Sequence, residues 1–445
     1  MSQLRVAVVG AGPSGFYACE ELLKSGDHEV KVDLYDALPA PHGLVRYGVA
    51  PDHQKIKNVT AVFEKIMRDP RLSFFGNVAV GAAELEWMRQ VYHGVLLTVG
   101  AQTDRRLGVA GEDLPGSYSA TDFVAWYNGH PDYVGHKFLL DQPRVAVVGV
   151  GNVAIDVARI LLSGHERLSK TDIADHALEQ LRNCAVREVH ILARRGPAQA
   201  AFTNPELREL LEMEDLSFEI RPDELSLDEH SRAALEAEPD KLVSKRLELL
   251  GQAQIRPGGQ KKLVLRFLVS PLEISGQDRV QGLKLGQNRL NEKLQATSTG
   301  QQEGLAIGTI FRSIGYKGQP LGELPFDNGK GIISNQLGRV EGHPGVYVAG
   351  WIKRGPSGVI GTNKPCAKES VQSLLSDARE GKLQEPAGQP QQHLAPGWVD
   401  FDGWKRLDEF EVAQGQPLGR PRVKVVQREA MLARARDSAE EVAAR

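Results

Sequence analysis

The 445-residue chain reads as an α/β protein built from two doubly wound, parallel-sheet units. Three observations predict this. The chain is too long for one hydrophobic core, so two or more domains are expected. An apolar strand runs into a glycine-rich turn and an apolar helix near the N-terminus, as Arg5-Val-Ala-Val-Val-Gly10-Ala-Gly12-Pro13-Ser14-Gly15. The same pattern returns as Arg144-Val-Ala-Val-Val-Gly149-Val-Gly151-Asn152-Val153-Ala154. Both match G-x-G-x-x-[G/A], in which glycines let the backbone turn tightly and approach a pyrophosphate held on a helix N-terminus.

In the first unit, strand 4–9 leads through the turn into helix 13–25, and strand 30–35 follows. Asp36 stands at the end of that strand, about twenty residues after the turn, where an acid accepts hydrogen bonds from an adenosine ribose. Residues 38–53 hold three prolines and two glycines without a period, which predicts a shaped loop. Segment 94–99 reads as a buried strand.

In the second unit, strand 144–148 and helix 152–163 lead through a polar stretch to strand 187–193. That strand ends in Arg194-Arg195 instead of an acid. Two guanidinium groups there suit a 2′-phosphate, so NADP is expected over NAD. Strands at 262–269, 280–285 and 305–314 are expected to close this domain with a small sheet. A strand at 345–350 then runs into Trp351 and a Gly/Pro turn, with a helix over about 364–380 capped by Thr362 or Asn363. Residues 382–397 read as a linker, and the tail 399–445 as one Trp-containing segment with a helical end.

Two dinucleotide loops, each with its own ribose signal, imply a flavoprotein that moves hydride between a nicotinamide and a flavin. A net charge of −3 gives no general pull toward nucleic acid or anionic membrane. No window is long and apolar enough to span a bilayer, and the chain is expected to be cytoplasmic. Cys19, Cys184 and Cys366 are far apart and form no C-x-x-C, which removes a redox disulfide, and no metal-ligand set is read.

Five stretches carry a family resemblance: GAGPSG at 10–15, HGLVRYGVAPDH at 42–53, GVGNVAIDVAR at 149–159, ARRGPAQAAFTNPELREL at 193–210 and GWIKRGPSGVIGTNK at 350–364. As a set the chain resembles the adrenodoxin reductase-type ferredoxin–NADP+ reductases, a branch of the glutathione-reductase-like two-dinucleotide flavoproteins. The wider class has Gly-Asp where this chain has Gly350-Trp351, and the tryptophan supports the narrower branch.

The resemblance implies two Rossmann-like domains, with an NADP domain (105–324) inserted into a discontinuous FAD domain (1–104 and 325–445). It also implies that Gly12, Asp36, Leu44 and Trp351 contact FAD and that Gly358, Val359 and Ile360 line the flavin pocket. Asn152, Val153, Arg194, Arg195 and Glu206 are implied NADP contacts. His53 and Glu209 match a pair beside the nicotinamide, with Asp156 a nearby acid. His53 would orient the ring or relay a proton.

The activity so implied is NADPH:ferredoxin oxidoreduction by a monomer, with a small acidic iron–sulfur protein as acceptor. Lys241, Lys245, Arg246, Arg256, Lys261, Lys262 and Arg266 are the expected basic docking face for it. An electron-input module of a larger reductase would need its own iron–sulfur cysteines, which three scattered ones do not supply. A non-catalytic FAD-dependent assembly or sensor protein would not need Arg194-Arg195 or an intact second loop.

Overall fold

The computed structural model describes residues 3–253, 259–390 and 397–436. Its core is two separate sheets, one wholly and one mainly parallel, which bears out the α/β class. The first sheet has seven strands. Gln3–Val9 lies in the middle, flanked in parallel by Glu29–Tyr35 and Gly94–Leu97. Leu72–Phe75 extends one side, and Val346–Val348 pairs in parallel with Gly94–Leu97 on the other. The last two strands, Arg339–Val340 and Asn335–Gln336, are antiparallel. The N-terminal hundred residues and a segment beyond 330 therefore share one sheet.

The second sheet has six parallel strands in the order Ser117–Ser119, Thr309–Arg312, Arg144–Val148, Glu188–Leu192, Lys261–Arg266 and Leu216–Ile220. Inner strands such as Val145–Val148 are buried on both faces, as parallel sheets require. The small sheet is present, but its strands are Val269–Ser275, Gly282–Leu290 and Ala296–Ala306. The expected strands at 262–269 and 305–314 instead supply members of the main sheet, because their apolar runs suit full burial.

The chain crosses between the two bodies twice, and the crossings pair with each other. Thr103–Asp104 and Tyr316–Lys317 form a two-stranded antiparallel ribbon. The tail, read as one Trp-containing segment with a helical end, holds two α-helices among its described residues. Helices Phe401–Gly415 and Arg428–Arg436 pack against the first body; residues 437–445 lie outside the described residues. Glu411, fully buried, takes both terminal nitrogens of Arg46 at 2.9 and 2.6 Å and the Val425 amide at 2.8 Å. The following segment reaches the second body. Arg420 donates to the Thr171 carbonyl and pairs with Asp175, and Lys424 donates to the Asn128 and Arg46 carbonyls. Residues 382–390 are tied down as well: the Ala387 amide donates to the Gln90 carbonyl.

Candidate functional site

The first glycine turn is built by close approach. Gly10 sits at φ +108°, and a Cβ there would lie 2.7 Å from the Thr98 carbonyl. A Cβ on Gly15 would lie 2.0 Å from the Gly10 carbonyl, so helix Pro13–Leu23 packs directly onto the turn. Gly12 is open, its nearest neighbour being the Cα of Gly43 at 3.9 Å. The Ser14 hydroxyl is buried in the first helical turn with no hydrogen-bond partner among the described residues. Asp36 accepts from the Ala11 amide at 2.8 Å and the Leu38 amide at 2.9 Å, which holds the acid at the rim of the turn.

Two further segments complete the cradle. The 38–53 loop contains a short helix, Leu44–Tyr47, where a wholly irregular loop was expected. The turn before it lies across the glycine loop, with the His42 amide donating to the Ala11 carbonyl at 2.7 Å. On the other side a Cβ on Gly350 would strike the Ser14 hydroxyl at 2.6 Å. Trp351 opens the turn Trp351–Arg354 and its indole N–H donates to the Ser357 carbonyl. Gly358, the exposed Val359 and Ile360 lead into helix Asn363–Arg379. Thr362 makes no side-chain cap, whereas the Asn363 amide group donates to the Ile360 carbonyl. An open glycine, an unpartnered buried hydroxyl and a helix N-terminus fit a pyrophosphate.

The second turn repeats the design. A Cβ on Gly149 would lie 2.0 Å from the Ser313 carbonyl, while nothing lies within 4 Å of one on Gly151. Asn152 accepts from the Thr203 amide at 2.8 Å, and the Ala201 and Phe202 amides both donate to the Val150 carbonyl at 2.9 Å. Residues 194–203 are thereby laced onto the glycine turn. Val153 is half-buried and packs into the core. Arg194 and Arg195 are exposed. Their carbonyls are fixed by Asn288 and Leu268, yet neither guanidinium has a partner among the described residues. Two unpaired guanidinium groups on a fixed backbone fit a phosphate.

Between the two bodies His53 meets Glu209, with Nε2 2.6 Å from the carboxylate and Glu206 at 3.7 Å. Arg159, buried on helix Asn152–Leu162, organises the cluster. It donates to Asp52 at 2.8 and 3.0 Å, to Asp156 at 2.8 Å and to Glu206 at 3.4 Å. Sequence reasoning missed Asp52 and Arg159. A signal existed for Arg159, which follows Asp156 by three positions on one helix face. His53, Glu206 and Glu209 set ligand-type atoms within 4.8 Å of one another, and the Arg159 guanidinium supplies the counter-charge there.

Burial, with Asp156 beside it, pushes the Glu206 carboxyl up to about 7, against the pull of His53 and Arg159. A carboxyl raised on folding adds stability below its unfolded value and loses it as pH rises through the folded one. The melting temperature of Glu206→Gln relative to wild type is therefore expected to climb from pH 5 to pH 8. A pH-independent difference in thermal melts would contradict this placement of the charge.

The chain is 46% identical over 440 residues to the NADPH-ferredoxin reductase FprA of Mycobacterium tuberculosis, covering 94% of this chain and 96% of that one. It belongs to the adrenodoxin reductase-type ferredoxin–NADP+ reductases. The NADPH:adrenodoxin oxidoreductase of Arabidopsis thaliana mitochondria is 40% identical across 97% of this chain and 95% of its own length. The structure of M. tuberculosis FprA in complex with NADPH superposes with a TM-score of 0.92 at 44% identity, over 98% of this chain and all of that one. A family model described as FAD-NAD(P)-binding matches residues 7–139. Membership in this reductase family makes the chain an FAD-dependent oxidoreductase that uses NADP. No helix among the described residues is long and apolar enough to cross a membrane.

The basic run from 241 to 266, expected as a docking face, is only partly a free cationic surface in this reductase-family member. Lys245 pairs with Glu248 at 2.7 Å, and Lys262 pairs with Glu219. Lys261 donates to the Leu162 and Ser163 carbonyls, and Arg266 is buried against Glu224 and Glu303. Arg246 turns inward to the Ala198 carbonyl. Arg256 lies outside the described residues. Each lysine or arginine so engaged has its field locally cancelled or its head withdrawn from solvent, which leaves Lys241 alone of the described six exposed without an ion pair.

Proposed function

We propose that residues 1–104 and 325–445 hold FAD, that residues 105–324 hold NADPH, and that the protein passes electrons from NADPH to a small iron–sulfur protein of the ferredoxin kind. FAD held there would supply the conversion of a two-electron hydride donor into single electrons for the iron–sulfur acceptor. The observation that carries the reading is the unpaired Arg194-Arg195 couple beside the open Gly151, in a chain whose first turn carries an acid, Asp36, in place of arginines.

This chain's residues bind, orient and screen. Gly10 and Gly12 give the first pyrophosphate room, Pro13 opens the helix without a donor, Ser14 and Gly15 offer it their amide N–H groups, and Asp36 is the ribose acceptor. Leu44, Trp351, Gly358, Val359 and Ile360 wall the flavin, and the N-terminal end of helix Asn363–Arg379 favours negative charge there. Gly149, Gly151, Asn152 and Val153 receive the second pyrophosphate, and Arg194 and Arg195 the 2′-phosphate. His53, fixed by Glu209, holds the nicotinamide face, with Asp156 and Glu206 behind it. Three unpaired cysteines accord with a reducing cytoplasm, and the reading takes the enzyme as a monomer.

The purified protein is expected to be yellow and to bleach on anaerobic addition of NADPH, with NADH far slower at equal concentration. Ferredoxins from the same cell should then restore the colour. A flavin that NADPH leaves oxidised would refute the reading.

A further inference from the structure

We propose that Arg246 is a positioning residue for cofactor specificity, holding the 194–203 loop in the conformation in which Arg194 and Arg195 receive a 2′-phosphate. The inference rests on the function proposed above for that arginine pair.

Helix Lys241–Ala253 packs against the Pro197–Gln199 turn of the loop. Arg246 shares a helical stripe with the buried Leu249, Leu250 and Ala253, so its stem points inward. Its Nη1 donates to the Ala198 carbonyl at 3.3 Å, and its guanidinium carbon lies 5.8 Å from the Phe202 ring centroid. The same helix gives the Leu242 carbonyl to the Asn204 side chain at 3.1 Å. The loop is thus held between the glycine turn, through the Val150 carbonyl, and Arg246.

The guanidinium has no carboxylate within ion-pair distance among the described residues, and its Nε is buried without a hydrogen-bond partner there. The Asp240 carboxylate acts on it from beyond ion-pair distance and does not outweigh burial, so the cation is costly. A dianionic phosphate held by Arg194 and Arg195 adds to that counter-charge. A loop ordered in advance also spares the ligand the ordering entropy that it would otherwise meet on binding. NADH, which lacks the 2′-phosphate, draws on neither effect.

The test compares Arg246→Met, Arg246→Lys and the double variant R194A/R195A, each as FAD-loaded full-length enzyme. The readings are kcat and KM for NADPH and NADH with ferricyanide as acceptor, and calorimetric affinity for 2′,5′-ADP. In R246M the NADPH KM and the 2′,5′-ADP dissociation constant are expected to rise about tenfold, equivalent to ~1.4 kcal/mol. Its kcat at saturating NADPH should hold within about twofold, and R246K should recover most of the loss. General unfolding would lower kcat with both nucleotides instead, and Arg246→Gln serves if R246M does not fold. The proposal is overturned if 2′,5′-ADP affinity stays within about twofold of wild type, or if NADH and NADPH suffer alike. If R194A/R195A also spares NADPH, the assignment of the phosphate site itself fails; if only R246M is silent, this inference alone fails.

Discussion

Replacing Arg194 and Arg195 together by alanine is expected to raise the NADPH KM roughly a hundredfold or more. Each charge-assisted hydrogen bond to a phosphate carrying nearly two charges contributes ~1.5–3 kcal/mol, and two are lost. Both side chains are exposed and have no hydrogen-bond or ion-pair partner among the described residues, so the variant should melt as wild type does. NADH kinetics should change little, because the loop backbone stays fixed through Asn288, Leu268 and Val150. Steady-state rates with the two nucleotides decide the matter, and equal losses for both would mean that the pair serves something other than the 2′-phosphate.

Glu411→Ala should be the most damaging single change to stability, costing about 3–5 kcal/mol. It strands a buried guanidinium, Arg46, and takes the acceptor from the part-buried Val425 amide. The harm should reach the flavin. Arg46 lies in the loop whose preceding turn crosses the Gly10–Gly15 loop, so the variant should release FAD on gel filtration under conditions where wild type keeps it. Denaturant titration gives the stability figure. A midpoint equivalent to less than about 1 kcal/mol of loss would show that the pair is dispensable, as some buried ion pairs are.

The parts of this protein that rest on local backbone geometry were legible in its sequence. Gly10, Gly15 and Gly149 announce turns too tight for a side chain, and the structure finds carbonyls where their Cβ atoms would go. Arg194-Arg195 was readable because a strand end after a glycine turn has one meaning in such units. What depends on distant partners was not legible. Asp52 and Arg159 are 107 positions apart and meet only because the two bodies dock. Arg246 was misread for a different reason. Counting charges along 241–266 says nothing of direction, although its spacing with Leu249, Leu250 and Ala253 already placed it on the buried face. The docking of the C-terminal segment was not legible because its anchors, Glu411, Arg420 and Lys424, are charged residues whose partners lie hundreds of positions upstream.

The pairing of Gly94–Leu97 with Val346–Val348 sets an order of events on the ribosome. Some 250 residues separate the two strands, and at ~5–20 residues per second their synthesis takes on the order of 12–50 s. Throughout that interval the nascent first sheet carries a bare apolar edge, the kind of surface that recruits other strands. The six-stranded sheet, complete once Thr309–Arg312 has emerged, is free to fold earlier. The half that begins synthesis first is therefore the half that finishes folding last, and a chain cut short after the second sheet would leave the ribosome with half its structure set and an aggregation-prone edge exposed.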